Sequence, residues 1–233
     1  MRPEQFWQNF SLGQELEISC NFIYDALRNL YDIRTLSLET EVFPILYNLS
    51  IGLERILKIV VILTELDDNT VIEDLENSLR NHDHPGLLSR IRNNHQVNLG
   101  SSHTEFLSLL AKFYKTYRYG RFSIQSVHTI SDDKKSLQEF LSKYLDIKLN
   151  RRTYELYNEP RIKKFVGKLT KKIISELLEI IKLKAAEKNI YTYEISRSDS
   201  KAGKILYGNE FIDFEHEEIA ALEIIRFLLS NPT

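Results

Sequence analysis

The chain has 233 residues, 42% hydrophobic and 27% charged, with a formal net charge of −2, the balance of an ordinary soluble globular protein able to bury a core. A single cysteine, Cys20, excludes an intrachain disulfide and a cysteine-built zinc site. Eight Gly and five Pro are too few for a turn-rich β architecture and favour helices.

Ser11 to Tyr31 is expected as a first long helix, with Leu12, Leu16, Ile18, Phe22, Ile23, Leu27 and Leu30 forming its apolar stripe. Ser37 to Leu66 is expected as the second, with Pro44 marking a kink or a late start. Its middle, residues 45–58, is the most informative stretch of the chain. Asn48, Ser50 and Gly52 interrupt an aliphatic run that continues at helical spacing through Leu46, Leu49, Leu53, Ile56, Val60 and Leu63. Gly inside a helix costs about 0.5–1 kcal/mol in propensity, so a close neighbour is expected there. A short helix follows at Val71–Leu79. Asn81-His82-Asp83-His84-Pro85-Gly86 reads as a solvated turn or a helix-capping loop, and Leu87–Ile91 as a short helix.

His103 to Tyr117 predicts a helix striped with Phe106, Leu109, Leu110, Phe113, Tyr114 and Tyr117, ending in Arg118-Tyr119-Gly120-Arg121. Ser131–Leu145 and residues 161–187 predict two more helices, the latter starting after Pro160. Ile190–Ile195 alternates like a strand and could pair with Lys204–Tyr207 as one hairpin. Glu217–Leu229 predicts a terminal helix. The expected fold is therefore all-α: an up-and-down antiparallel helical bundle over residues 1–125, with a helical extension over 126–233 and room for one small peripheral β-hairpin near 190–207.

The charge is segregated along the chain. Residues 1–79 carry 5 basic and 14 acidic side chains, residues 80–172 carry 19 and 8, and residues 173–233 carry 7 and 11. A basic middle is a footprint for a polyanion such as RNA, or it packs against the acidic ends. Neither a phosphate-cradling Gly-rich loop, a paired-glycine dinucleotide turn nor a His-Glu-x-x-His helix occurs. His82-Asp83-His84 has metal-ligand chemistry but no signalled third ligand, so no metal and no cofactor are expected. Glu54 and Lys58 are spaced as a surface i,i+4 pair, or as part of a site. The basic run Lys163, Lys164, Lys168, Lys171 and Lys172 reads as the wet face of its helix. Without a disulfide framework or a signal-peptide-like apolar core at the start, the expected location is cytoplasmic, with no membrane span.

Three segments, in order, carry a resemblance. Asn48-Leu-Ser-Ile-Gly-Leu-Glu-Arg-Ile-Leu-Lys58, His82-Asp-His-Pro-Gly-Leu-Leu88 and Phe113-Tyr-Lys-Thr-Tyr-Arg-Tyr-Gly-Arg-Phe122 together resemble the HEPN-type helical domains, over residues 10–125 or so. The resemblance implies an up-and-down bundle, frequently a homodimer, with two functional branches. One is a metal-independent endoribonuclease of toxin–antitoxin and defence systems using an Arg/His pair. The other is a non-catalytic RNA- or partner-binding module, often beside a nucleotidyltransferase-type protein. Arg gives a fixed fork to phosphate oxygens and His moves a proton near neutral pH. Arg121 and His128 are the candidate catalytic pair. Arg118 and Tyr119, with Arg90 and His95 as a second Arg/His pair, are the candidate RNA contacts, Tyr119 offering a ring for stacking. The non-catalytic module is the favoured branch, because Phe122 and Ile91, rather than polar residues, follow the two arginines.

Overall fold

The computed structural model describes residues 3–117, 124, 133–149, 155–190, 201–207 and 214–230. Among them every regular element is a helix, with one isolated antiparallel bridge between Thr35 and Tyr157 and no sheet. The all-α expectation holds.

A short helix α1 (Pro3–Phe6) passes through a π-helical turn at Trp7–Ser11 into α2 (Leu12–Asp32). Helix α2 buries Leu12, Leu16, Cys20, Ile23, Ala26 and Leu30, steps of three and four that keep one face inward. Helix α3 (Glu39–Glu65) is the central rod and buries nearly everything from Ile56 to Leu63. Pro44 sits inside it without ending it. The small residue anticipated in its middle has the expected consequence. A Cβ on Gly52 would lie 2.5 Å from Ile23 Cγ1 and 2.8 Å from the Ser19 carbonyl oxygen. Gly52 therefore sets how closely α2 and α3 approach.

Helices α4 (Ile72–Ser78), α5 (His84–Asn94) and α6 (Ser101–Lys112) follow, and α6 runs into a second π-helical turn at Phe113–Tyr117. Then come α7 (Asp133–Leu145), α8 (Pro160–Glu187), α9 (Lys201–Tyr207) and α10 (Phe214–Ser230). Leu137, Phe140 and Leu141 of α7 and Ile162, Val166, Leu169, Ile173 and Leu177 of α8 join the same apolar cluster as α2 and α3. Phe140 stacks on Phe106 of α6 at 5.5 Å.

Polar capping fastens the later helices to the earlier ones. The Asn158 amide donates to the Leu30 and Ile33 carbonyls at 2.5 and 3.0 Å, and Lys163 Nζ donates to the Tyr31 carbonyl at 2.6 Å. These groups satisfy carbonyls left over where α2 ends, as a buried helix terminus requires. Gln138 does the same for Leu36, at 2.7 Å.

Two expectations are corrected. The hairpin near 190–207 is not formed as proposed, because Lys201–Tyr207, which contains its second strand, is helix α9. Adjacent Ile205 and Leu206 are both buried, which a peripheral hairpin with one face in solvent would not show, and Lys171 Nζ donates to their two carbonyls. Residues 191–200, which hold most of the first strand, lie outside the described residues. The turn at 81–86 is not simply solvated either: His84 opens α5 and is wholly buried.

Candidate functional site

Two histidines two residues apart read two α3 residues one turn apart. His84 Nε2 lies 2.9 Å from the Ser50 carbonyl oxygen, and His82 Nδ1 lies 3.0 Å from both carboxylate oxygens of Glu54. Two extended residues span about 6.6 Å and four helical ones about 6 Å, so the loop and the helix are in step. Ser50 is a junction, since its hydroxyl also donates to the Leu110 carbonyl of α6 at 3.1 Å. Burial lowers the His84 pKa, opposed by its bond to the Ser50 carbonyl, so the anchoring imidazole is neutral near pH 7.

Glu54 is 5% exposed. A buried carboxylate needs compensation, and it has two partners: Lys58 one turn on along α3, as an ion pair, and His82 from the loop. The pair Glu54/Lys58 is thus not a free surface pair but the floor of a cluster. Tyr114 covers His82, with ring centroids 4.4 Å apart. Tyr114 in turn stacks on Tyr47 at 6.1 Å, and Tyr47 on Phe43 at 5.9 Å.

Tyr47, Glu54, Lys58, His82 and Tyr114 line an open cleft of about 590 Å³. Its far wall carries Arg55, ion-paired with Glu15 of α2, and Trp7. Trp7 and Tyr114 each belong to one of the two π-helical turns. Such a turn widens the helix locally and re-aims side chains, and its occurrence at functional sites is frequent. Phe113 points the opposite way, fully buried and edge-on to Phe43 at 5.2 Å. Lys115 pairs with Asp83 at 3.5 Å and ties the second π turn to the histidine loop. The cleft therefore combines three stackable rings, a buried acid held between two nitrogen bases, and a second acid–base pair. It can stack a planar group and hydrogen-bond its edge.

The residues singled out in the sequence are distributed differently. Arg118, Tyr119, Arg121 and His128 lie outside the described residues. Arg90 faces α3, where its guanidinium grips the Glu65 carboxylate (Nε to Oε1 2.9 Å) and donates to the Ser78 hydroxyl at 3.1 Å. His95 follows the last residue of α5, where burial lowers its pKa, as does Lys184 of α8 nearby, against Glu187. Arg90 is thus committed to holding α3, α4 and α5 together. His82 and His84, the pair read as a metal candidate, face different partners.

The basic run on α8 is partly consumed inside the protein: Lys163 and Lys171 cap carbonyls and Lys172 pairs with Glu176. Of the groups that build the cleft, the sequence marked Glu54, Lys58 and the His82 loop separately. Trp7 and Tyr47 gave no signal of their own, since one aromatic residue on a helix looks like core. What could have joined them is the match between His82-x-His84 and Ser50-x-x-x-Glu54.

No protein-family profile, curated protein sequence or solved structure matches the chain.

Proposed function

We propose that the chain is a HEPN-like helical module that binds single-stranded RNA and receives an unstacked base in the cleft of Trp7, Tyr47, Tyr114 and His82. The observation that carries this reading is the gathering of stackable rings around fixed hydrogen-bonding groups in a hollow of about 590 Å³. Single-stranded RNA is recognised by stacking splayed bases on aromatic side chains and by bonding their edges. The charged lining is already matched, Arg55 with Glu15 and Lys58 with Glu54. Recognition then rests on the base more than on the phosphates, and affinity falls only shallowly with salt.

Fluorescence anisotropy with short labelled single-stranded RNAs tests this. Tyr114→Ala is expected to weaken binding by about 5- to 100-fold, the worth of one base–aromatic stack, while Tyr114→Phe keeps most of it. Wild-type chain that binds no RNA, or a Tyr114→Ala chain of unchanged affinity and helicity, overturns the reading.

The metal-independent endoribonuclease is the second reading, and one observation favours it. Glu54 holds His82 through Nδ1, which leaves Nε2 as the nitrogen to take up or release a proton in the cleft. Arg121 and His128 are the competing pair for the same chemistry. Metal-free RNA cleavage lost in His82→Ala and kept in His128→Ala assigns it to the cleft. The reverse pattern assigns it to Arg121 and His128, and absence of cleavage leaves the binding module.

A further inference from the structure

Helix α10 is anchored at one end. The Phe214 ring is buried, 5.4 Å from Tyr24 and 5.5 Å from Tyr31, with the Arg28 guanidinium 5.4 Å above it. Arg28 also pairs with Glu218. Beyond Glu218 most side chains of the helix are exposed. Ile219, Leu222, Ile224, Ile225, Leu228 and Leu229 are between 51 and 77% exposed.

Five of the six share one side of the helix, while Ile219, like the exposed Phe227, falls off it. Ala221, Ile224, Ile225 and Leu228 stand at i, i+3, i+4 and i+7, which is one face of a helix, and Leu222 and Leu229 border it. Glu223, Arg226 and Ser230 fall on the opposite side. Five large apolar side chains more than half exposed on this side amount to an apolar area on the order of 600 Å², the top of the range for a monomer's largest patch and below the roughly 800 Å² that each partner gives to a standard interface.

We infer that this face is a self-association surface and that its occupant is α10 of a second copy, packed antiparallel. The pattern is complementary to itself in that direction. A two-fold axis between residues 224 and 225 sets Ile224 against the partner's Ile225, and Ala221 against the partner's Leu228. Small then meets large at both ends of the contact, as an isologous interface requires. A lipid surface fits worse. Along the α10 sequence Glu215, Glu217, Glu218 and Glu223 outnumber Arg226, an interfacial helix wants a basic polar face, and no described helix is long and apolar enough to cross a membrane. This inference is independent of RNA binding.

Sedimentation of the full chain over a concentration series up to about 100 μM, where a micromolar interface is saturated, is expected to give twice the 27.4 kDa chain mass. Ile224→Glu/Ile225→Glu is expected to halve that mass with helicity retained. Direction is read by cross-linking. Cys20 is buried, so engineered thiols dominate. An Ala221→Cys chain mixed with a Leu228→Cys chain is expected to form a disulfide-linked pair more readily than either chain alone. A wild-type chain at monomer mass throughout overturns the inference, and if that monomer then floats with phosphatidylcholine vesicles or captures a different protein, the face belongs to that occupant. Unchanged dimer mass in the double variant, or linkage of Ala221→Cys chains to each other in preference, overturns it as well.

Discussion

The middle of α3 and the outer part of α10 are written in the same alphabet and end in opposite states. Both are Ile/Leu-rich helices with a small residue on the apolar face, Gly52 in one and Ala221 in the other. Around Gly52 most apolar side chains are fully buried, Ile51 and Tyr47 at the cleft being half-buried, and even the polar Ser50 and Glu54 are buried with partners. Around Ala221 the neighbours are more than half exposed. Periodicity decides which face of a helix wants cover. It does not decide whether the cover comes from the same chain.

The contrast can be broken most sharply at Gly52. Gly52→Val is expected to cost about 3 kcal/mol, because its Cβ meets the Ser19 backbone carbonyl, which cannot rotate away as a side chain can. Urea denaturation measures it, and a loss below about 1 kcal/mol would mean that α2 and α3 have slack at their crossing.

The next effect comes from pH. His84 has a pKa held below the ordinary imidazole value of about 6.5, burial being the main cause. Below that value the unfolded chain takes up a proton that the folded chain refuses, so stability is full above pH 6.5 and falls as the pH drops, by up to about 1.4 kcal/mol per unit, until the folded-state pKa is reached. His95 and His103 are shifted in the same direction and add to the trend. In His84→Gln, whose amide can still donate to the Ser50 carbonyl, the slope between pH 6.5 and 5 is expected to shrink. An unchanged slope places the titration elsewhere.

The smallest effect is expected in α10. Under dilute, monomeric conditions Ile224→Glu/Ile225→Glu should change unfolding stability by less than about 0.5 kcal/mol, since in one copy these side chains are more than half exposed. A larger loss in the monomer would show that this helix is part of the single-chain core after all.

Much of the helical layout was legible from spacing. The first helix, expected at Ser11–Tyr31, is found at Leu12–Asp32, and the long helix expected over 161–187 is found at Pro160–Glu187. In both, the apolar stripe is continuous and the ends are marked. The strand reading of Lys204–Tyr207 failed because so short a segment supports either period, and a lone two-stranded hairpin has little stability of its own. Burial of adjacent Ile205 and Leu206, with Lys171 capping the carbonyls, settles it as helix. At the cleft, Glu54 and Lys58 were visible as a pair, but the histidine that completes them lies 28 residues further on in a loop that looked like a solvated turn.

The sequence by itself determined the long rods, and that Gly52 marks a close crossing. These follow from local spacing and backbone sterics, which a few neighbouring residues define. Only the tertiary structure decided which polar groups go inside. Ser50, Glu54 and His84 are buried because the Leu110 carbonyl, His82 and the Ser50 carbonyl are brought to them from elsewhere in the chain. A buried polar group is tolerable only when its partner is in place, and the order of residues does not say which distant segment will bring it.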